Sequence, residues 1–209
     1  NGDGGDIRFV PAPEEMPAST ALNPMTISPD GRWAVVSSEH GSKVGVYDLN
    51  EQRWVNFIET DQRVAYAWFT QDCRLMWLSN WMSQILYDTT TWKPLREWRD
   101  REEPGALGMI QGSRDGRLMA TLDGMSVVLR HGDTGEPFLR LRHPMPMTAA
   151  WLALTPNGRW LTYSALGHIQ QVWDLANLEV EMKKLGLPWR GPHLERTSDQ
   201  PPLTRLIVK

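Results

Sequence analysis

The sequence predicts an all-β chain of about four repeated units, each a four-stranded antiparallel blade, followed by a short helix and flanked by extended tails. Three observations predict it. A turn motif, Ser28-Pro29-Asp30-Gly31-Arg32-Trp33, returns at Thr70–Leu75, Ser113–Leu118 and Thr155–Trp160. The aligned Asp30, Asp72, Asp115 and Asn157 stand at steps of 42, 43 and 42 residues. Around each turn, short apolar runs alternate with polar residues as half-buried strands do. A period in the low forties is the length of one four-stranded propeller blade, and units that stack on their neighbours form a single array rather than separate domains.

Residues 1–24 form an N-terminal extension rich in Gly and Pro, with one alternating run, Ile7–Val10, that suits a clasp strand or an ordered patch in a tail. The repeats then occupy 25–177, at about 25–60, 65–100, 108–142 and 149–177. In the first, Met25–Ser28 leads into Pro29-Asp30-Gly31, where Pro presets φ and Gly supplies a positive φ for a tight turn. Arg32–Ser38, Lys43–Leu49 and Arg53–Ile58 complete the meander. The second repeat follows with Tyr66–Thr70, Arg74–Ser79, Gln84–Asp88 and Pro94–Trp98. The third has Arg117–Leu122, Ser126–His131 and Phe138–Leu141 after its turn. The fourth has Arg159–Ser164 and Gln170–Asp174 but no evident outer strand. From 178 the pattern changes: Leu178, Met182 and Leu185 recur at helical spacing, and Gly186 and Pro188 stop the helix. A Pro-containing linker and a terminal strand, Leu203–Val208, suited to supply an outer edge, complete the 178–209 segment.

The third strand of each unit ends in a dipeptide: Tyr47-Asp48, Tyr87-Asp88, Arg130-His131 and Trp173-Asp174. With the Asp/Asn-Gly-Arg turns of Asp30-Gly31, Asp115-Gly116 and Asn157-Gly158, and Asp72 in the second repeat, these resemble the WD40 family of β-propeller repeats over residues 25–175. One dipeptide is literally Trp-Asp, and the Gly-His opening of the family is missing throughout, so its buried Asp–His–Ser/Thr–Trp network is not expected. The stretch from Val172 to Trp189 is similar to the close of WD40 arrays in large bacterial composite proteins, where a kinase often precedes the array and helical repeats follow it. No kinase signature occurs in the chain. WD40 propellers usually have seven or eight blades. The resemblance therefore leaves three arrangements for four: self-closure, pairing of two copies, or docking on a partner, with pairing or docking favoured.

Composition narrows the function. Of 209 residues, 41% are hydrophobic and 22% charged, the balance of a soluble globular chain. A formal charge of −3 supplies no basic footprint for nucleic acid or anionic lipid. The one basic–aromatic cluster, Arg96, Trp98, Arg99 and Arg101, is neutralised by Glu97, Asp100, Glu102 and Glu103. No run is long and apolar enough to span a membrane. A cytoplasmic location is favoured, while Asn1 in place of an initiator Met leaves a removed signal or an upstream domain open.

Cys73 is alone and occupies the turn position that holds Gly31, Gly116 and Gly158 elsewhere, so neither a disulfide nor a cysteine metal cluster is expected. The five histidines have no metal-ligand spacing, though His40 and His168 sit at equivalent connections. The Asn1–Asp6 run lacks the rest of a phosphate or calcium loop. No cofactor, metal or catalytic constellation is expected. A binding surface is. The connections gathered on one face carry Glu39, His40, Trp81, Met82, Met125 and His168, and the loops between blades add Arg63, Met145 and Met147. Trp, Met and Arg are enriched at interface centres, and the apolar pair Trp81-Met82 is more than a hairpin needs.

The expected role is a non-catalytic protein-interaction scaffold, its open blade ends covered by a protein partner or by self-association. The alternatives are a sensor or regulatory domain of a larger bacterial signalling protein, and an accessory structural subunit of a stable, membrane-associated or soluble assembly.

Overall fold

A computed structural model describes residues 13–14, 22–38, 43–60, 64–80, 83–99, 109–123, 126–142, 149–165 and 169–195. It contains four antiparallel sheets in chain order. The first is a meander of β1 (Leu22–Ile27), β2 (Trp33–Ser38), β3 (Lys43–Asp48) and β4 (Arg53–Glu59). The second holds β5 (Val64–Phe69), β6 (Leu75–Asn80), β7 (Ser83–Asp88) and β8 (Lys93–Arg99). The third holds β9 (Ile110–Gly112), β10 (Leu118–Asp123), β11 (Ser126–His131) and β12 (Pro137–Arg142). The fourth has three strands, β13 (Ala149–Leu154), β14 (Trp160–Ala165) and β15 (Ile169–Asp174), and runs straight into helix α1 (Leu175–Lys184).

Each sheet starts from the same hydrogen-bonded turn. The Ser28 hydroxyl donates to Asp30 Oδ1 at 2.5 Å and accepts the Trp33 N–H at 2.8 Å, while Asp30 accepts the Arg32 N–H at 3.0 Å. Thr70 with Asp72, Ser113 with Asp115 and Thr155 with Asn157 repeat the arrangement, with hydroxyl–oxygen distances of 2.6, 2.6 and 2.8 Å. The short polar side chains thus replace the backbone partners that a tight turn cannot supply. The third turn residue has φ near +73° at Gly31 and Gly116 and +72° at Gly158, and Cys73 holds the same region at +57°.

Three apolar clusters join the four sheets, one at each junction of consecutive sheets. Trp33, Val35, Val46 and Ile58 of the first sheet meet Phe69, Met76, Leu78 and Tyr87 of the second. Trp77 and Leu86 on the opposite face of the second meet Ile110 and Met119 of the third. Leu118, Ala120, Leu122 and Leu129 meet Leu152, Leu154, Leu161 and Tyr163 of the fourth. The leading strands β1, β5, β9 and β13 are neighbours in that order. Among the described residues, no comparable packing joins β13 back to β1.

The helix begins at Leu175, three residues before the Leu178 expected from periodicity. Asp174 is the reason. Its Oδ1 accepts the Asn177 N–H at 3.1 Å and caps the helix, which lets Leu175 and Ala176 enter the third cluster. The described residues beyond the helix, up to Glu195, form no helix or strand but are fastened. Buried Glu179 accepts from the Leu194 N–H at 3.1 Å and from Lys183 at 2.6 Å, and lies 3.0 Å from His193 Nδ1. Trp189 packs edge-on to Phe138 at 5.3 Å. The clasp candidate Ile7–Val10 and the terminal run Leu203–Val208 lie outside the described residues.

Candidate functional site

Alternation along a strand gives every sheet two faces, and four sheets in a row with three junctions leave two faces over. In the fourth sheet, Leu152, Leu154, Leu161 and Tyr163 point to the third sheet. The ladder pairs Trp151 with Ser164, and Ala153 with Thr162, which in turn pairs Val172, so these residues share the opposite face. There Trp151 is 65% exposed and Val172 42%. In the first three sheets the corresponding face is buried by the next sheet: Val35, Trp77 and Ala120 stand where Thr162 stands, and each is at most 1% exposed.

The leftover face of the first sheet carries Ile27, Ala34, Tyr47, Trp54 and Phe57, set by the pairs Ile27–Ala34, Ala34–Tyr47 and Tyr47–Trp54 and by Gly45–Phe57. Tyr47 meets Trp54 edge-on at 5.1 Å, and Trp54 stacks on Phe57 at 5.8 Å. Ile27 is 62% exposed, whereas Tyr47 is buried.

The electrostatic frame of the fourth sheet is fixed beside this face. Arg159 Nη2 lies 3.1 Å from Asp174 Oδ2, and the same guanidinium lies 4.8 Å over the Trp160 ring. In the first sheet Arg32 Nε lies 3.2 Å from Asp48 and the guanidinium 4.2 Å over Trp33. The carboxylates that end the third strands cap the backbone just beyond them. Asp48 accepts the N–H groups of Asn50 and Glu51, and Asp88 those of Thr90 and Thr91, at 2.8–2.9 Å. Burial opposes ionisation of Asp48, but the Glu51 N–H and Arg32 outweigh it and hold the carboxyl below its usual range. Hydrogen bonds from Thr91, chiefly its backbone N–H, do the same for Asp88.

The tryptophans divide between packing at the sheet junctions and exposure on a free face. Trp77, fully buried, stacks on Trp98 at 4.9 Å and donates to Gly132 O at 3.2 Å across the second junction. Arg130, in place of the Tyr or Trp of the other dipeptides, lies over Trp98 at 5.5 Å and donates to Thr121 and Gly135 O. Trp92 adopts φ +55° and packs edge-on to Trp33 at 5.3 Å, a first-junction contact that the repeat motifs do not announce. Trp151 faces outward.

The loop residues expected to form a binding face, Glu39, His40, Arg63, Trp81, Met82, Met125, Met145, Met147 and His168, all lie outside the described residues. Loop-based reasoning passes over Trp151 and Val172, because their exposure arises where no further sheet stands opposite among the described residues and not from any local motif.

At the turn end, the second and third sheets flank an open cavity of about 600 Å³ lined in part by Asp72, Asp115, Arg117, His131 and Asp133. Asp72 and Asp115 are already engaged by Thr70 and Ser113. Among the described residues, no group of three His, Cys, Asp or Glu side chains is arranged to hold a metal ion. Burial raises the Cys73 thiol above its usual range, the opposite of an activated nucleophile. Among the described residues no helix is long and apolar enough to cross a membrane.

No protein-family model matches the chain, and no curated protein matches it.

Proposed function

We propose that the chain is a non-catalytic protein-interaction scaffold built on WD40-like blades, and that its partner covers the free face of the last sheet. The observation that carries this reading is the 65% exposure of Trp151 beside Val172, on a face that the next sheet buries in every preceding sheet. A large aromatic ring on a face shared with Ala153, Thr162, Ser164, Gln170 and Val172 has the composition of an interface centre, where Trp is enriched and charge depleted. The repeated turns, the period of 42–43 residues and the Asp-capped third strands support the blade resemblance.

The test is solution mass by size-exclusion chromatography with light scattering over a dilution series, with wild type beside Trp151→Glu. Wild type is expected to associate, and the variant to need at least about tenfold higher concentration, the effect of losing one interface anchor. Monomeric behaviour of both proteins at every concentration would remove self-association through this face, and binding of a partner protein unchanged by Trp151→Glu would remove the face as the interaction surface.

A further inference from the structure

The fourth sheet ends on β15, whereas the other three each place one more strand outside the equivalent β3, β7 and β11. The edge of β15 is a row of backbone donors and acceptors. The Leu175 N–H donates to Arg159 O at 2.8 Å, so by antiparallel alternation Trp173 and Gln171 turn their peptide groups to β14, and Val172 and Gln170 turn theirs outward. Among the described residues nothing pairs with them.

Of the strands that form outer edges, β8 and β12 are guarded, whereas β4, Arg-Trp-Val-Asn-Phe-Ile-Glu, is charged only at its two ends. β8 carries Lys93, Pro94, Arg96, Glu97 and Arg99, and β12 carries Pro137, Arg140 and Arg142. Charges and Pro on an edge discourage pairing with another chain. β15 reads Ile-Gln-Gln-Val-Trp-Asp, with no Pro, and its one charge, Asp174, is engaged by Arg159 and the helix cap. It has the composition of an interior strand at an edge position.

We infer that β15 binds an extended segment of a partner protein as a fourth strand, antiparallel to it, with a basic residue opposite Asp174. The inference rests on the scaffold reading and names the partner's chemistry. The register of the other sheets supplies the basic residue: Arg53 stands opposite Asp48 and Lys93 opposite Asp88 in the first and second sheets, whose third strands also end in Asp. The second sheet gives the rest of the pattern, since Arg96 pairs with Leu86 where β15 offers Val172, and Trp98 pairs with Gln84 where β15 offers Gln170. Backbone pairing supplies affinity and the alternate side chains supply register.

The probe is a fluorescein-labelled synthetic peptide copying Lys93–Arg99, titrated with the full chain and read by fluorescence anisotropy. Saturable binding is expected, weakened at least tenfold by Val172→Pro, which deletes an outward N–H at a position where an edge strand tolerates Pro. Val172→Thr keeps the N–H and is expected to bind within threefold of wild type. Where Val172→Pro proves unfolded by circular dichroism, the same loss is read from a peptide N-methylated at its Arg and Trp amides opposite Val172 and Gln170. No saturable binding, or binding indifferent to both backbone changes, would overturn the inference. Trp151→Glu is expected to leave peptide binding unchanged, so failure at the edge is separable from failure of the free-face reading.

Discussion

Arg159 and Asp174 form an ion pair at 3.1 Å with side chains only 5% and 13% exposed, at the positions that Arg32 and Asp48 occupy in the first sheet. The same carboxylate has opposite consequences in the two sheets. Asp48 caps a turn that sends the chain back as β4, and Asp174 caps a helix that carries it away. The residues just after each Asp decide between them: Asn50-Glu51-Gln52, with Gln52 at φ +54°, makes a hairpin, while Leu175–Lys184 consists mostly of helix formers.

Asp174→Ala is therefore expected to destabilise the chain by about 3 kcal/mol or more, because it breaks a nearly buried ion pair and deletes a cap. Asp174→Asn, which can still accept the Asn177 N–H, is expected to lose less. Urea unfolding of the two variants checks the order.

Cys73 holds a left-handed conformation that its three counterparts assign to Gly. Cys73→Gly is expected to be more stable than Cys73→Ala by about 1 kcal/mol, since the Cβ penalty at positive φ remains in Ala. Thermal unfolding of the pair gives the difference without reference to the thiol.

Gly135 and Gly31 share a positive φ but differ in space. A Cβ at Gly135 would lie 2.2 Å from the Trp98 ring, and one at Gly31 would meet nothing within 4 Å. Gly31→Ala is expected to cost about 1 kcal/mol, and Gly135→Ala about 2 kcal/mol more, because the Trp77–Trp98 stack must shift. Trp77→Ala itself, at the centre of that junction, should cost about 3–5 kcal/mol. Denaturant midpoints at constant m-value test all three.

Stability should fall at both ends of the pH scale. The Ser28 hydroxyl holds Asp30 below the usual carboxylate range, and the Thr70 hydroxyl does so for Asp72. A depressed folded pKa gives stability that is complete above the unfolded value, about 4, and is lost as acid protonates the folded carboxylates. Thr70→Val is expected to reduce the contribution of Asp72 and make the acid limb shallower, with the Arg74 N–H and charge keeping the remainder. At the other end, burial, with Glu97 second, pushes the Tyr87 phenol up to about 12. The unfolded phenol ionises near 10, so stability should decline between about 10 and 12. Tyr87→Phe should lose that decline, measured by unfolding across the alkaline range.

Chemistry is legible in the sequence wherever it is local in space. The turn motif, the strand alternation and the capping Asp residues act within a few residues of themselves, so their spacing already predicts four sheets of antiparallel strands, as the structure has them. The Ser/Thr partner of each turn Asp or Asn also stands in every motif, two residues upstream, as the recurring signal of the hydroxyl relay. Periodicity places the helix start too late because it weighs apolar residues and overlooks a cap. Trp92 at positive φ is illegible, since only its contact with Trp33 on the preceding sheet holds a bulky residue there.

By itself, then, the sequence determined the repeat, its period, the strand order within each sheet and the helix that follows the third strand of the last unit, because those depend on hydrogen bonds between near neighbours. Only the tertiary structure decided which faces are covered. Tyr66 and Trp151 each stand opposite a Ser on the leading strand of their sheets, yet Tyr66 packs against the cluster of the third junction and Trp151 is 65% exposed. The difference is whether another sheet stands opposite, and burial of apolar area depends on that neighbour and not on the strand that offers it.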